Sequence, residues 1–231
     1  VPVELLCLDA DDTLWGHESY FQDAASSFHD LLSGFAPANL SESRLDEIER
    51  RNLHIYGYGV KGFTLSMLET ALEVAGAALP AATVKRILEI GRDLMRHPVA
   101  PTPGVAETLP LLAQRARLVL VTKGDLFHQE AKLAASGLGE HFEGVEIVSD
   151  KTRSVYLKIF ARYGVAPERA AMVGNSLRSD VWPALEAGAH AVHIPSAFEW
   201  AHERAADPQG EARFARLAAF ADLPGLLDRL G

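Results

Sequence analysis

The 231 residues carry a formal net charge of -9, with 22 Lys and Arg against 31 Asp and Glu, and 48% are hydrophobic. This suits a globular chain forming one large domain or a core with a smaller insertion. An acidic balance without a basic stripe argues against nucleic acid as a partner. No apolar run reaches the roughly 18–20 residues of a membrane span, and no basic-then-apolar start resembles a signal peptide. The expected location is the cytoplasm. A single cysteine, Cys7, excludes an internal disulfide and reads as a buried core residue. A small anionic substrate stays open, because a local Lys and a metal can outweigh the global charge.

Val3–Leu8 reads as a buried strand, short and apolar, that stops at a run of aspartates. From Gly16 to His97 no strand is evident. Glu18–Phe35, Ser41–Tyr56, Val60–Gly76 and Pro80–Arg96 carry apolar residues at helical spacing, with Ser41 and Ser43 as N-cap candidates and Pro80 suited to a first turn. His97 to Gly104, with three prolines, reads as a stiff return. Four more short apolar runs follow, Leu118–Val121, Val145–Val148, Ala170–Val173 and Ala189–Ile194. Helical stretches at Asp125–Ser136, Thr152–Tyr163 and Ser179–Ala187 lie between them, closed by Gly137, Gly164 and Gly188. This alternation predicts an α/β fold, a parallel sheet with crossover helices. The domain division is a core of 1–15 and 98–231 with an all-helical insertion over 16–97.

Chemistry concentrates at the ends of the strands, where open parallel sheets bind ligands. Asp9-Ala10-Asp11-Asp12-Thr13 clusters three carboxylates, whose repulsion and desolvation call for a hard cation such as Mg²⁺. Asp9 is placed to attack phosphorus, and Asp11 to protonate a leaving oxygen and then take a proton from water. Taken alone, an acidic turn that caps the next segment fits as well. Thr122 ends the second run, with Lys123 after it; a phosphate-holding hydroxyl and an ordinary N-cap are both open. Lys151 ends the third run and is a cation for a phosphoryl group, with Lys158 as its rival one helical stretch on. Gly174 to Asp180 follows the fourth run, where Asn175 and Asp180 offer oxygens to the same edge.

In this order the four segments resemble the motifs of the haloacid dehalogenase superfamily, in its phosphatase branch. Asp9 to Thr13 is similar to the first motif, Thr122 to the second, Lys151 to the third and Gly174–Asp180 to the fourth. Residues 16–97 fit the helical cap that this group inserts after its first motif. The resemblance implies a Rossmann-like core, bound Mg²⁺ and an aspartyl-phosphate intermediate on a small phosphorylated substrate. The catalytic candidates are Asp9, Asp11, Thr122 and Lys151. The metal candidates are Asp9, Asp11, Asn175 and Asp180. The substrate-binding candidates are Ala10, Thr122, Lys123 and Lys151. Two positions depart from the family pattern: Asn175 stands where an acidic residue is usual, and Lys123 where Asn is common. On charge alone, Asp180 is then expected to matter more than Asn175 for metal affinity.

A phosphotransferase or mutase would share every motif. A haloacid dehalogenase would need neither Asp11 nor a metal, and a non-catalytic binding protein is allowed by Asn175 alone. The nine histidines show no convergent spacing for zinc. Trp15 and His17 are expected near the substrate entrance. The glycine-rich bend Tyr56–Gly62 either faces the site or simply joins two helices.

Overall fold

The computed structural model describes residues 2–198 and 200–230. Two compact units divide the chain. One runs to Glu18, resumes over Val99–Lys123 and continues from Gln129 onward; the other comprises Ser19–Pro98 with Gly124–His128. Among the described residues no helix is long and apolar enough to cross a membrane.

The first unit is built on six strands, β1 (Leu5–Leu8), β2 (Arg117–Lys123), β3 (Gly144–Val148), β4 (Ala170–Gly174), β5 (His190–His193) and β6 (Phe214–Arg216). They form one sheet in the order β3-β2-β1-β4-β5-β6. Every pairing is parallel. The chain builds outward from β1 through β2 to β3, then crosses to β4 on the other side. β1 therefore sits at the switch point, where loops from its two neighbours part and leave a crevice.

Helices cover both faces: α5 (Val105–Ala113), α6 (Leu126–Ser136), α7 (Arg153–Arg162), α8 (Trp182–Glu186) and α9 (Leu223–Leu230), numbered after the four helices of the second unit. Successive strand side chains point to opposite faces. Leu6, Leu8, Leu118 and Leu120 thus enter one core with Leu109 and Leu223. Leu5, Cys7, Val119 and Val121 enter the other with Tyr156 and Phe160. A strand buried on both faces reads as a continuous apolar run, which is why β1 shows no alternation.

The second unit holds α1 (Glu18–Leu32) from its second residue on, α2 (Ala38–Tyr56), α3 (Val60–Ala75) and α4 (Ala81–Leu94). Phe28, Leu32, Met67 and Ile87 are fully buried in its core. The expected caps need correcting. Ser41 and Ser43 lie inside α2, which starts after Pro37, and their hydroxyls donate back to the carbonyls of Ala38 and Leu40. Pro37 sets the entry because its fixed φ suits a helix start. Pro80 precedes α4 rather than opening its first turn. Sequence periodicity also missed β6, three residues without an apolar alternation.

Cys7 is fully buried in β1, and burial pushes its thiol up to about 12. A neutral, enclosed thiol is a poor nucleophile. In native buffer at pH 8 the thiol should resist Ellman's reagent, and labelling should appear only with global unfolding in denaturant. Rapid stoichiometric labelling of the folded protein would contradict this core placement.

Candidate active site

Asp9 is the first residue past β1, and its N–H donates to the Val173 carbonyl at 2.9 Å, extending the ladder by one step. The chain then turns sharply. Leu14 N–H returns to the Ala10 carbonyl at 2.8 Å, and Asp12 N–H to that of Trp15 at 2.7 Å. Asp12 takes a left-handed φ of 60°, which Asp tolerates better than most residues. Its carboxylate accepts the N–H groups of His17 and Glu18 at the start of α1. Asp12 is thus the cap of the following helix, and burial pushes it up to about 6. Thr102 closes the base of the turn, donating its hydroxyl to Thr13 and its N–H to Leu14.

Asp9 is 6% exposed. Its Oδ1 accepts Lys151 Nζ at 2.5 Å and its Oδ2 accepts Thr13 Oγ1 at 3.0 Å. Lys151 also donates to Asp180 Oδ1 at 2.6 Å, whereas Lys158 is exposed on α7. Two buried carboxylates therefore share one ammonium. Lys151 is held well above the usual lysine range by Asp180 and Asp9, against its burial. Burial raises Asp9 most, Lys151 opposes it, and the charges of Asp180 and Asp11 add to the rise, leaving it pushed up to about 7. The cluster has one negative charge too many for its lysine.

The segment after β4 delivers the other groups. Asp180 Oδ2 accepts the Ser176 N–H at 2.9 Å. The π-turn Leu177–Val181 carries Asp180 back over Gly174, where a Cβ would stand 2.1 Å from Asp180 Oδ2. Only glycine leaves room. Tyr156 OH donates to the Ser179 carbonyl at 3.1 Å and holds the turn from α7. The amide tip of Asn175 lies 3.2 Å from Asp9 Oδ2 and 3.3 Å from the Asp11 carbonyl oxygen. A nitrogen in that place donates to both. An oxygen there would complete a trio of oxygens beside an excess negative charge, the donor set that a hard cation takes. Among the described residues no three His, Cys, Asp or Glu side chains gather to hold a metal, so a cation here would rely on this mixed set. The residues fit Mg²⁺, with Asn175 rather than Asp180 in the converging position.

Asp11 is committed elsewhere. Lys132 Nζ donates to its two oxygens at 2.5 and 2.7 Å, Trp15 Nε1 to Oδ1 at 2.8 Å, and Gln129 Nε2 to Oδ2 at 2.9 Å; His17 Nε2 is 3.5 Å away. Burial alone would raise Asp11, but the charges of His17 and Lys132 and these hydrogen bonds hold it well below the usual carboxylate range. Trp15 is fully buried. Gln129 and Lys132 were not anticipated from sequence. Their one trace is a polar pair three residues apart on α6, one helical step on the same face.

Thr122 is 1% exposed at the tip of β2, its hydroxyl 3.3 Å from the Lys123 carbonyl. Ala10 is fully buried, its carbonyl taken up by the turn. Lys123 is neither loose nor a surface residue. It donates to Glu203 Oε1 at 2.6 Å and Ser179 Oγ at 2.8 Å. In the second unit, Lys61 of the glycine-rich bend pairs with Asp125 at 2.8 Å.

A parallel sheet with its acidic cluster at the strand tips places the chain among α/β enzymes. It belongs to the haloacid dehalogenase-like hydrolases, whose family model matches residues 3–188. A solved haloacid dehalogenase-like family hydrolase from Xanthomonas campestris superposes with a TM-score of 0.89 at 39% identity, covering 99% of this chain and 92% of that one. Phosphoserine phosphatase of Thermus thermophilus is 33% identical over 141 residues, 57% of this chain and 54% of its own length. The chain thus matches about half of that relative. Glyceraldehyde 3-phosphate phosphatase of Methanopyrus kandleri is 26% identical over 200 residues, 83% of this chain and 84% of its own.

Replacing Lys132 by Met leaves Asp11 buried without its lysine partner. Unfolding in urea at pH 7 should show a loss of about 3 kcal/mol, the low end for a broken buried pair because Asp11 keeps some solvent contact. The native carboxyl titrates below the unfolded value of about 4, so the pair's contribution is present above that pH and lost as the pH falls beneath it. The gap between the two proteins should therefore narrow in acid; a gap that widens there would exclude the ion pair as its source.

Proposed function

We propose that the chain is a Mg²⁺-dependent phosphatase acting on a small phosphorylated metabolite through an aspartyl phosphate. The observation that carries this is the convergence of Asp9 Oδ2, the Asp11 carbonyl and the Asn175 amide beside a carboxylate held by Lys151. The two phosphatases among the relatives support the substrate class.

In this reading Asp9, fixed by Lys151 and Thr13, attacks phosphorus. The new bond joins a carboxylate oxygen to phosphorus, and the bond to the leaving oxygen breaks. Asp11 gives that oxygen a proton, then takes one from the water that attacks the aspartyl phosphate and frees Asp9. As it stands Asp11 is a carboxylate bound to Lys132, the form required of the base. To act as the acid it must leave Lys132 and take up a proton, so the cycle includes a change of side-chain orientation at Asp11. Lys151 and the Thr122 hydroxyl face the transferring phosphoryl group. Mg²⁺ would be held by Asp9, the Asp11 carbonyl and Asn175, and would neutralise charge on the phosphate oxygens.

A haloacid dehalogenase is the second reading, favoured only by the engagement of Asp11 with Lys132, since that chemistry needs no acid. Rates on a panel of phosphomonoesters and on 2-chloropropionate, with and without Mg²⁺, separate the two. Hydrolysis of at least one phosphoester should appear, vanish with chelator, and fall to background in Asp9→Asn, whose amide cannot attack. Chloride release that survives chelation would establish the dehalogenase instead.

The placement of Asn175 generates a further test and revises the order expected from charge. Asp180 is engaged by Lys151 and the Ser176 N–H, so we rank Asn175 above it for metal affinity. Asn175→Asp exchanges a donor to Asp9 and Asp11 for a second carboxylate. Calorimetry should find Mg²⁺ bound about tenfold more tightly, while the metal-free protein melts lower because Asp9 loses a donor and gains a like charge. Asp180→Ala should leave Mg²⁺ affinity closer to wild type than Asn175→Ala does. The reverse order would return Asp180 to the metal.

A further inference from the structure

Outside the four motifs, one side chain gathers the strand-tip segments together. Glu203 lies in the long excursion between β5 and β6. Its Oε1 accepts Lys123 Nζ at 2.6 Å, and its Oε2 accepts Ser176 Oγ and Ser179 Oγ, each at 2.5 Å. Both partners of the ion pair are largely enclosed, Lys123 at 12% and Glu203 at 14% side-chain exposure. Lys123 follows Thr122 on β2; Ser176 caps the turn that carries Asp180, and Ser179 lies within it. A single carboxylate thus joins the tip of β2 to the loop after β4.

The link continues inward. Ser176 Oγ accepts the Ser179 N–H at 2.9 Å, and the Ser176 N–H holds Asp180 Oδ2. Asp180 holds Lys151, and Lys151 holds Asp9. Asn175, at the metal-binding position proposed above, immediately precedes Ser176. The excursion is secured apart from Glu203: Arg178 donates to the His202 carbonyl at 2.6 Å and Trp182 Nε1 to that of Ala206 at 2.7 Å. The backbone around Glu203 is therefore held without its carboxylate, which leaves that carboxylate a role beyond attaching the segment.

We infer that Glu203 is a positioning residue: through Ser176, Ser179 and Lys123 it sets the loop that presents Asn175 and Asp180 to Asp9 and Lys151. It touches none of these four itself. The inference rests on the hydrolase reading for its catalytic consequence, but not for its structural one. A distant carboxylate that orients ligand-bearing groups behaves as outer-shell partners do, and losing one such partner typically lowers metal affinity or activity about 10- to 100-fold.

The test compares Glu203→Gln, which keeps shape and the excursion's backbone anchors, with Lys123→Met/Glu203→Gln, which also removes the stranded ammonium. Amide hydrogen exchange over residues 174–181 should quicken at least about tenfold in both variants, with exchange in β1 and β2 unchanged. Mg²⁺ titrated by calorimetry should bind about tenfold more weakly in both. With p-nitrophenyl phosphate, kcat should fall about 10- to 100-fold while KM moves less than about twofold. The double variant should regain thermal stability without regaining Mg²⁺ affinity, which a merely structural ion pair would not produce. Unchanged exchange over 174–181, or Mg²⁺ affinity restored with stability, overturns the inference. A lowered KM at unchanged kcat also overturns it, by making the Lys123 cradle a substrate subsite that Glu203 blocks. Should the wild type hydrolyse no phosphoester and bind no Mg²⁺, the proposed function falls, and the exchange experiment alone decides the role of Glu203.

Discussion

One buried ammonium, Lys151, shared by Asp9 and Asp180, is the constraint on which the site depends. Removing three charged groups from water is costly unless each is paired and hydrogen-bonded. Here the pairing reaches across the sheet, from the tip of β1 to the segment after β3 and the loop after β4. The pairing fixes where the three segments stand relative to one another. It also leaves one negative charge over. Burial raises Asp9 most and that surplus adds to the rise; in the proposed reading the surplus is also what calls for a cation beside Asp9. Sheet topology supplies the location, since β1 lies at the switch point, but electrostatics supplies the demand.

Near this centre the two aspartates of the first motif are in opposite circumstances. Asp9 is raised towards neutrality by burial and by its like-charged neighbours, and Asp11 is kept ionised by Lys132, Gln129, Trp15 and His17. Two carboxyl groups two residues apart are thus driven in opposite directions by their surroundings. Asp12, the third of the run, is pushed up to about 6 by burial and serves the backbone.

Much of this was legible in the sequence, for physical reasons that can be named. β1 and β4 are short apolar runs ending at polar residues, because a strand buried on both faces has no polar side to display. Asp9 and Asn175 were findable because each is the first polar side chain past such a run; Lys151 comes third past β3, after Ser149 and Asp150. That Asp180 packs against Gly174 was not legible in the sequence. The missing pieces share a different property. Lys132, Gln129 and Glu203 reach the site from a helix face and from an irregular excursion, where no periodicity marks a side chain as inward. Ser41 and Ser43 misled for the complementary reason: a serine at a helix start and a serine bonding back to a carbonyl inside the helix look the same in one dimension.

The π-turn at Leu177–Val181 has a consequence for how the chain can vary in length. A π-turn holds one residue more than the α-helical turn it replaces. Loss of any residue within it would let the backbone settle into regular helix and swing Asp180 by about 100° about the axis. Asp180 would leave Lys151 and vacate the space above Gly174, and Ser179 would leave Tyr156. Substitutions in this segment can be judged one side chain at a time. A single-residue deletion cannot, because it changes the phase of every group the turn presents. The residue count between Gly174 and Trp182 is therefore as much a part of the site as the identity of the groups it carries.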